Sequence, residues 1–232
     1  MIRKWIQDSF RKVGVDIRLI RPDNYTWLQS RGITTVLDIG ANTGHFAIYI
    51  AKLLPKARIY SFEPISSCFQ DLQKNTAGLN VKSFPFALGE TEEAMTINVS
   101  GLTPSSSLLP MAHLHEEVFS GSEYQSTETI QVRRLDDIAA SLDLSGKYLV
   151  KIDVQGFEDR VIRGGKAVLA GADLVWIETT FQELYQGQVL FGAIYDMLTE
   201  LGFEFRGNIS QAKNPADGSY LYADSLFFRK DS

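Results

Sequence analysis

The chain has 232 residues, 44% hydrophobic and 22% charged, and its 23 Lys and Arg against 28 Asp and Glu leave a formal net charge of −5. One α/β domain can bury a core of this size, and the acidic balance argues against sequence-independent nucleic-acid binding, which needs Lys and Arg at phosphates. The single cysteine, Cys68, excludes an intrachain disulfide framework and a cysteine-based zinc cage, and fits a reducing cytoplasm.

In chain order, residues 1–33 read as an N-terminal helical leader packed on a domain that occupies 34–232. Within 1–21, six basic residues stand against Asp8 and Asp16, a net of +4 that leaves −9 for the rest. Ile2, Ile6, Phe10 and Val13 fall on one helical face, which predicts a helix docked through that face. The alternative is contact with a membrane surface, but acids interrupt the basic side. No apolar segment with a cleavage site marks a signal peptide, and no stretch approaches the ~20 apolar residues of a membrane span.

From Thr34 onward, strands alternate with helices. Residues 34–39 predict a buried strand and 45–54 a helix stopped by Pro55; 57–62 and 81–86 predict further strands around a helix over 66–77. Residues 94–99 and 129–134 alternate as strands do, and between them 100–128 reads as a lid or binding loop, because so long an aperiodic segment is uncommon in a compact domain. Strands over 148–154 and 173–178, helices over 158–169 and 189–201, and two short strands over 203–206 and 225–229 complete the series. Such alternation predicts a parallel sheet covered on both faces, with ligands at the carboxyl ends of its strands.

The first strand runs into Asp38-Ile39-Gly40-Ala41-Asn42-Thr43-Gly44. A dinucleotide fingerprint beginning at Gly40 needs glycine at 42 and 45, where Asn42 and His45 stand, so a pyrophosphate ligand and a nicotinamide-dependent oxidoreductase are disfavoured. Asp38 points the same way, since a carboxylate there repels phosphate and attracts a cation. Glu63 ends the second strand, where an acid accepts hydrogen bonds from ribose hydroxyls. A ligand with an adenosine ribose, a positive charge and no phosphate satisfies both acids, and S-adenosylmethionine meets that description. Generic α/β architecture, with Asp38 capping a helix, is the alternative.

Taken with Phe62-Glu63-Pro64, Arg134-Leu135-Asp136-Asp137 and Lys151-Ile152-Asp153-Val154-Gln155-Gly156-Phe157-Glu158, the glycine turn resembles the signature segments of FkbM-type S-adenosylmethionine-dependent methyltransferases over roughly residues 34–229. Gln155 departs from the Glu that many members carry. The resemblance implies the class I methyltransferase fold, an α/β Rossmann-like sheet of seven strands in the order 3-2-1-4-5-7-6 with only strand seven antiparallel. It implies methyl transfer, usually to oxygen of a small hydroxylated molecule such as a sugar or secondary metabolite; N- or carboxylate methylation and a non-catalytic adenosine-cofactor-binding module are the alternatives. It further implies that Asp38, Gly40, Asn42 and Gly44 surround the methionyl part, that Glu63 in its Phe-Glu-Pro segment with Pro64 holds the ribose, that Phe86 and Ala87 border the adenine, and that Ser105 and Ser106 face the cofactor.

A hydroxyl acceptor must lose its proton as the methyl arrives. Asp153, at the end of the fourth main strand, can serve as general base, orient the methionyl ammonium or hold a divalent cation; Glu178, ending the next, is the alternative base or second ligand. A metal is the less favoured reading. Glu158 opens a helix, where the dipole alone favours an acid. His113 and His115 form an H-x-H pair in the long loop, and His113 enters the catalytic candidates beside Asp153 and Glu178. Gln182, Tyr185, Tyr220 and Tyr222 are candidates for the acceptor wall or for the core.

Overall fold

The computed structural model describes residues 25–230, so the basic segment 1–21 lies outside the described residues. Strands β1 (Ile33–Ile39), β2 (Arg58–Phe62), β3 (Val81–Phe84), β7 (Lys147–Ile152), β8 (Leu174–Thr180), β9 (Phe203–Lys213) and β10 (Tyr220–Arg229) form one sheet in the order β3-β2-β1-β7-β8-β10-β9. Counted within that sheet, the order is 3-2-1-4-5-7-6. β10 runs antiparallel to both neighbours and the remaining pairs are parallel, the arrangement the resemblance implies.

Helices α2 (His45–Leu53), α3 (Ser66–Asn75), α6 (Glu158–Gly164), α7 (Lys166–Gly171) and α8 (Phe191–Glu200) cover the sheet, after a short α1 (Trp27–Ser30). Its central strands are near-continuous apolar runs because both faces are buried. Alternation still divides them: Leu37, Ile39, Val150, Ile152, Val175 and Ile177 belong to one core cluster, Val36, Leu149, Leu174 and Trp176 to another. Asp38, Lys151 and Glu178 continue the second set by the same period of two, which gathers charge beneath the carboxyl edge of the sheet. Tyr25 packs edge-on against Trp176 at 5.0 Å, and Leu28 is buried in that second cluster.

The structure revises several boundaries. The helix expected over 158–169 is broken at Gly164-Gly165, where a Cβ on Gly164 would stand 1.8 Å from the Gly89 carbonyl oxygen. The two closing strands are long and form a hairpin. Only part of 100–128 is loop: β5 (Glu93–Ser100) and β6 (Tyr124–Arg133) pair antiparallel, and with β4 (Ala87–Leu88) they make a second sheet. That sheet packs Ile97, Ile130 and Val132 against Ile65 and Cys68 at the start of α3. Between its strands lie a 3-10 turn (Thr103–Ser105) and helix α4 (His113–Val118), and the short α5 (Leu135–Ile138) follows β6. The segment is pinned to the domain by paired bridges, Asn98 with Ser107 and Met111 with Tyr185. Among the described residues no helix is long and apolar enough to cross a membrane.

Candidate active site

β1 stops at a turn whose geometry only glycine allows. Gly40 has φ 81°, and a Cβ there would lie 1.8 Å from the carbonyl oxygen of Asp153 on the neighbouring β7 turn. Gly44, at φ 91°, opens α2 and faces Leu72. The glycines thus bring chain segments together, which explains a G-x-x-x-G spacing without a pyrophosphate. Asn42, also left-handed at φ 48°, donates its N–H to Glu63 Oε2 at 2.8 Å, and its side-chain Oδ1 accepts from Thr43 N–H.

Glu63 accepts a second backbone bond, from Ile65 N–H at 2.8 Å, so its carboxyl locks the β1 turn to the exit of β2. Burial pushes it up to about 7 despite these two donors, which favour the charged form, with Asp38 adding repulsion. Asp38 is fully buried. Desolvation raises it, against the attraction of Lys151, whose Nζ stands 3.6 Å from Oδ1. Among the described residues Oδ1 has no hydrogen-bond partner, while Oδ2 accepts from Ser61 at 3.3 Å. Lys151 also lies 3.3 Å from Asp153 Oδ2 and donates to the Gly40 carbonyl. Burial alone would pull Lys151 down; Asp153 and Asp38 outweigh it and hold the ammonium above its ordinary range.

Two clefts meet above this charged floor. The first has apolar walls including Phe62, Ile65, Leu88, Ile97, Leu108 and Phe157, and is lined also by Gly40, Asn42, Glu63, Pro64, Ala87 and Ser106. The second carries Ser105, His115, Phe119, Glu178, Leu184, Ser210, Tyr222 and Asp224. Pro104, Asp153 and Gln155 line both. Glu178 lies well above its ordinary range, first because it is desolvated and then because Asp153, Glu158 and Asp224 repel its charge.

The sequence candidates therefore separate into three groups. Gly40, Asn42, Glu63, Pro64, Ala87, Ser106 and Asp153 line the first cleft; Ser105, Asp153 and Glu178 line the second. Asp38, Gly44 and Phe86 line neither: Asp38 is beneath, Gly44 packs on α3, and Phe86 is buried beside Phe62 and Phe84. His113 faces solvent on α4, its side chain 82% exposed and 3.4 Å from Glu117. Residues two apart on a helix point to different sides, and here His115 is the inward one. Glu158 caps the β7–α6 turn, its Oε1 accepting from Val154 and Gly156 N–H, and burial pushes it up to about 7. Among the described residues no three His, Cys, Asp or Glu side chains gather as a metal site. The Lys151 ammonium beside Asp153 would repel a divalent cation there.

Sequence reasoning assigns no role to the Gln155 amide or to Asp224, and offers Tyr185 for the acceptor wall or the core. Tyr185 takes the core place: it is buried in a cluster with Leu184 and Leu221, lines neither cleft, and its hydroxyl donates to Gln155 Oε1. Asp224 faces Glu178 across the β8–β10 pair and accepts from Trp176 Nε1 at 3.2 Å. Gln182 instead ties the β9–β10 turn through Ser219 and the Tyr220 carbonyl.

The profile of the methyltransferase FkbM domain matches residues 38–205. The chain is 31% identical over 176 residues to the 2-O-methyltransferase NoeI of Sinorhizobium fredii, covering 70% of each chain. It is 28% identical over 142 residues to methyltransferase 1 of Beauveria bassiana, covering 56% of this chain and 57% of that one, so it spans less than two thirds of that relative's length. Among solved structures it is similar to the 1,6-didemethyltoxoflavin N1-methyltransferase of Burkholderia thailandensis with bound S-adenosylhomocysteine, at 12% identity and a TM-score of 0.48, covering 98% of this chain and 87% of that one.

Proposed function

The chain belongs to the FkbM family of S-adenosylmethionine-dependent methyltransferases, and on that footing we propose that it methylates a hydroxyl oxygen of a small molecule seated in the second cleft, with Glu178 as general base. The observation that carries this reading is that the clefts share Asp153 and Gln155, while Glu178 lines only the second.

The first cleft suits the cofactor: apolar walls for an adenine, the buried Glu63 carboxyl for ribose hydroxyls, and Asn42 with Asp153 at the polar end for the methionyl part. S-adenosylmethionine, when bound, supplies a methyl group on a sulfonium that departs as a neutral thioether. Asp153 and Gln155 then align the two ligands across the junction. Glu178 takes the hydroxyl proton as the oxygen–carbon bond forms, leaving a methyl ether and a protonated carboxyl. A carboxyl raised toward neutrality is the stronger proton acceptor once ionised. The 2-O specificity in the name of the 31%-identical relative supports oxygen as the acceptor atom.

Incubating the protein with isotopically labelled S-adenosylmethionine and a hydroxyl-rich metabolite extract, followed by mass spectrometry, is expected to yield methyl ethers; labelled esters or N-methyl products alone would overturn the oxygen assignment. For the cofactor site, Glu63→Gln removes the charge facing the ribose, and a hydrogen bond to a charged group contributes about 1.5–3 kcal/mol. Calorimetric affinity for S-adenosylmethionine should fall roughly tenfold or more, and an unchanged Kd would reject the ribose role.

A further inference from the structure

We propose that Gln155 is the positioning residue that fixes the Glu178 carboxyl at the junction of the clefts, and that Tyr185, steadied by His115, fixes Gln155. The inference rests on the reading of Glu178 as base and adds the device that aims it. Gln155 adopts φ 55°, a left-handed conformation uncommon for a residue with a side chain. Every polar group it carries into the site is engaged. Its Nε2 donates to Asp153 Oδ1 at 2.7 Å and to Glu178 Oε2 at 3.0 Å, using both amide protons. Its Oε1 accepts from the Tyr185 hydroxyl at 2.8 Å, and its carbonyl accepts from Ser107 Oγ at 2.6 Å.

The orientation of the amide is decided by its neighbours. Turned over, it would set Oε1 against two carboxyl groups. Tyr185 opposes that turn, because its single proton has the closer acceptor in Gln155 Oε1 at 2.8 Å, against the Ser105 carbonyl at 3.3 Å. The Tyr185 hydroxyl lies 3.2 Å from His115 Nε2, and His115 Nδ1 lies 3.1 Å from Ser122 Oγ. Ser122 Oγ donates to the Phe119 carbonyl at 2.7 Å; with His115 neutral and protonated on Nε2, the ring donates to the Tyr185 oxygen and leaves the tyrosine proton for Gln155, whose amide donates to the two carboxyl groups. Desolvation lowers His115, which favours the neutral ring. Gly156 admits the tyrosine: a Cβ there would meet Tyr185 Cβ at 3.1 Å.

Around Glu178 stand Asp153 after β7, Glu158 on α6, Asp224 and Tyr222 on β10, Tyr185, and Lys151 on β7. Three of these are carboxyl groups, and the neutral donor that reaches Glu178 is the Gln155 amide. Removing that donor leaves Glu178 to turn away from its neighbours and from the acceptor oxygen.

Three variants of the full chain test the device: Tyr185→Phe, Gln155→Ala and their combination, with Gln155→Met replacing Gln155→Ala if the latter fails to fold. Nitrogen-15 NMR of the Gln155 side-chain amide in the protein without ligands should shift on Tyr185→Phe. In labelled methyl transfer to the acceptor fraction from the extract, each single variant should lower kcat about tenfold and the combination should lose no more than Gln155→Ala alone, with KM for S-adenosylmethionine within twofold of the parent in Tyr185→Phe, whose residue lines neither cleft. Unmoved amide signals, or losses that multiply, would overturn the proposal. Glu178→Gln separates the two readings: full activity in that variant rejects the base assignment, whereas the amide signal reports on Tyr185 and Gln155 whether or not Glu178 is the base.

Discussion

Glu178→Gln is expected to lower kcat by about 10²–10⁴-fold, the range a positioned acid or base contributes, with the affinity for S-adenosylmethionine unchanged. Glu178 lines the second cleft and not the first, so the loss should appear in turnover and not in cofactor binding. The pH dependence gives the sharper signature. A protonated carboxyl cannot accept the hydroxyl proton, and burial together with Asp153, Glu158 and Asp224 raises Glu178 well above its ordinary 4.5, with Lys151 as the opposing influence. Turnover should therefore be low below the raised value, rise as pH passes through it, and level off above. Glutamine removes the titrating group, so the residual rate of the variant should lose that acid limb. A kcat within threefold of the parent, or a limb that survives the substitution, would reassign the proton to another group. Asp153→Asn makes the contrast, because Asp153 borders both clefts and its replacement should move KM for both ligands.

The sheet was legible in the sequence for a definite reason. Buried parallel strands leave continuous apolar runs, and Val36-Leu37, Leu149-Val150 and Val175-Trp176-Ile177 are such runs, each followed within a few residues by a polar residue at the open edge. The acids at those edges were legible too: Glu63, Asp153 and Glu178 all line a cleft. Asp38 shows the limit of that reading, since its position at a strand end did not reveal that Lys151 would close over it and hold it beneath the cleft. Lys151 pairs with Asp38 through the β1–β7 register, a relation between residues more than a hundred apart in the chain. The outward turn of His113 was hidden for a local reason, because the pattern H-x-H does not say which histidine a short helix buries. Gln155 and Tyr185 come together only because β7 and β8 are neighbours and Gly156 lets the ring approach.

Gly40→Ala is expected to cost about 3 kcal/mol of stability or more, combining a left-handed penalty of roughly 1–2 kcal/mol with overpacking of about 1–3 kcal/mol, and to weaken S-adenosylmethionine binding at least a hundredfold. For a domain of this size that loss corresponds to a fall in Tm of roughly 6–12 °C. The new methyl would stand 1.8 Å from the Asp153 carbonyl oxygen and 2.9 Å from its carbon, so β1 and β7 must part until the contact reaches about 3.5 Å. That seam is tied by Asp153 N–H to the Ile39 carbonyl at 3.1 Å and by Lys151 Nζ to the Gly40 carbonyl at 3.3 Å. Opening it displaces Asp153, which borders both clefts, and the turn through Asn42 that Glu63 holds. Gly78 provides the control, because it has the same φ of 81° and, among the described residues, nothing within 4 Å of its missing Cβ. Gly78→Ala carries the backbone penalty alone and should leave cofactor affinity intact. Equal losses in the two variants would mean that φ by itself sets the need for glycine. A loss of binding confined to Gly40→Ala would place that need at the seam, where the closeness of two strand exits builds the floor on which both ligands meet.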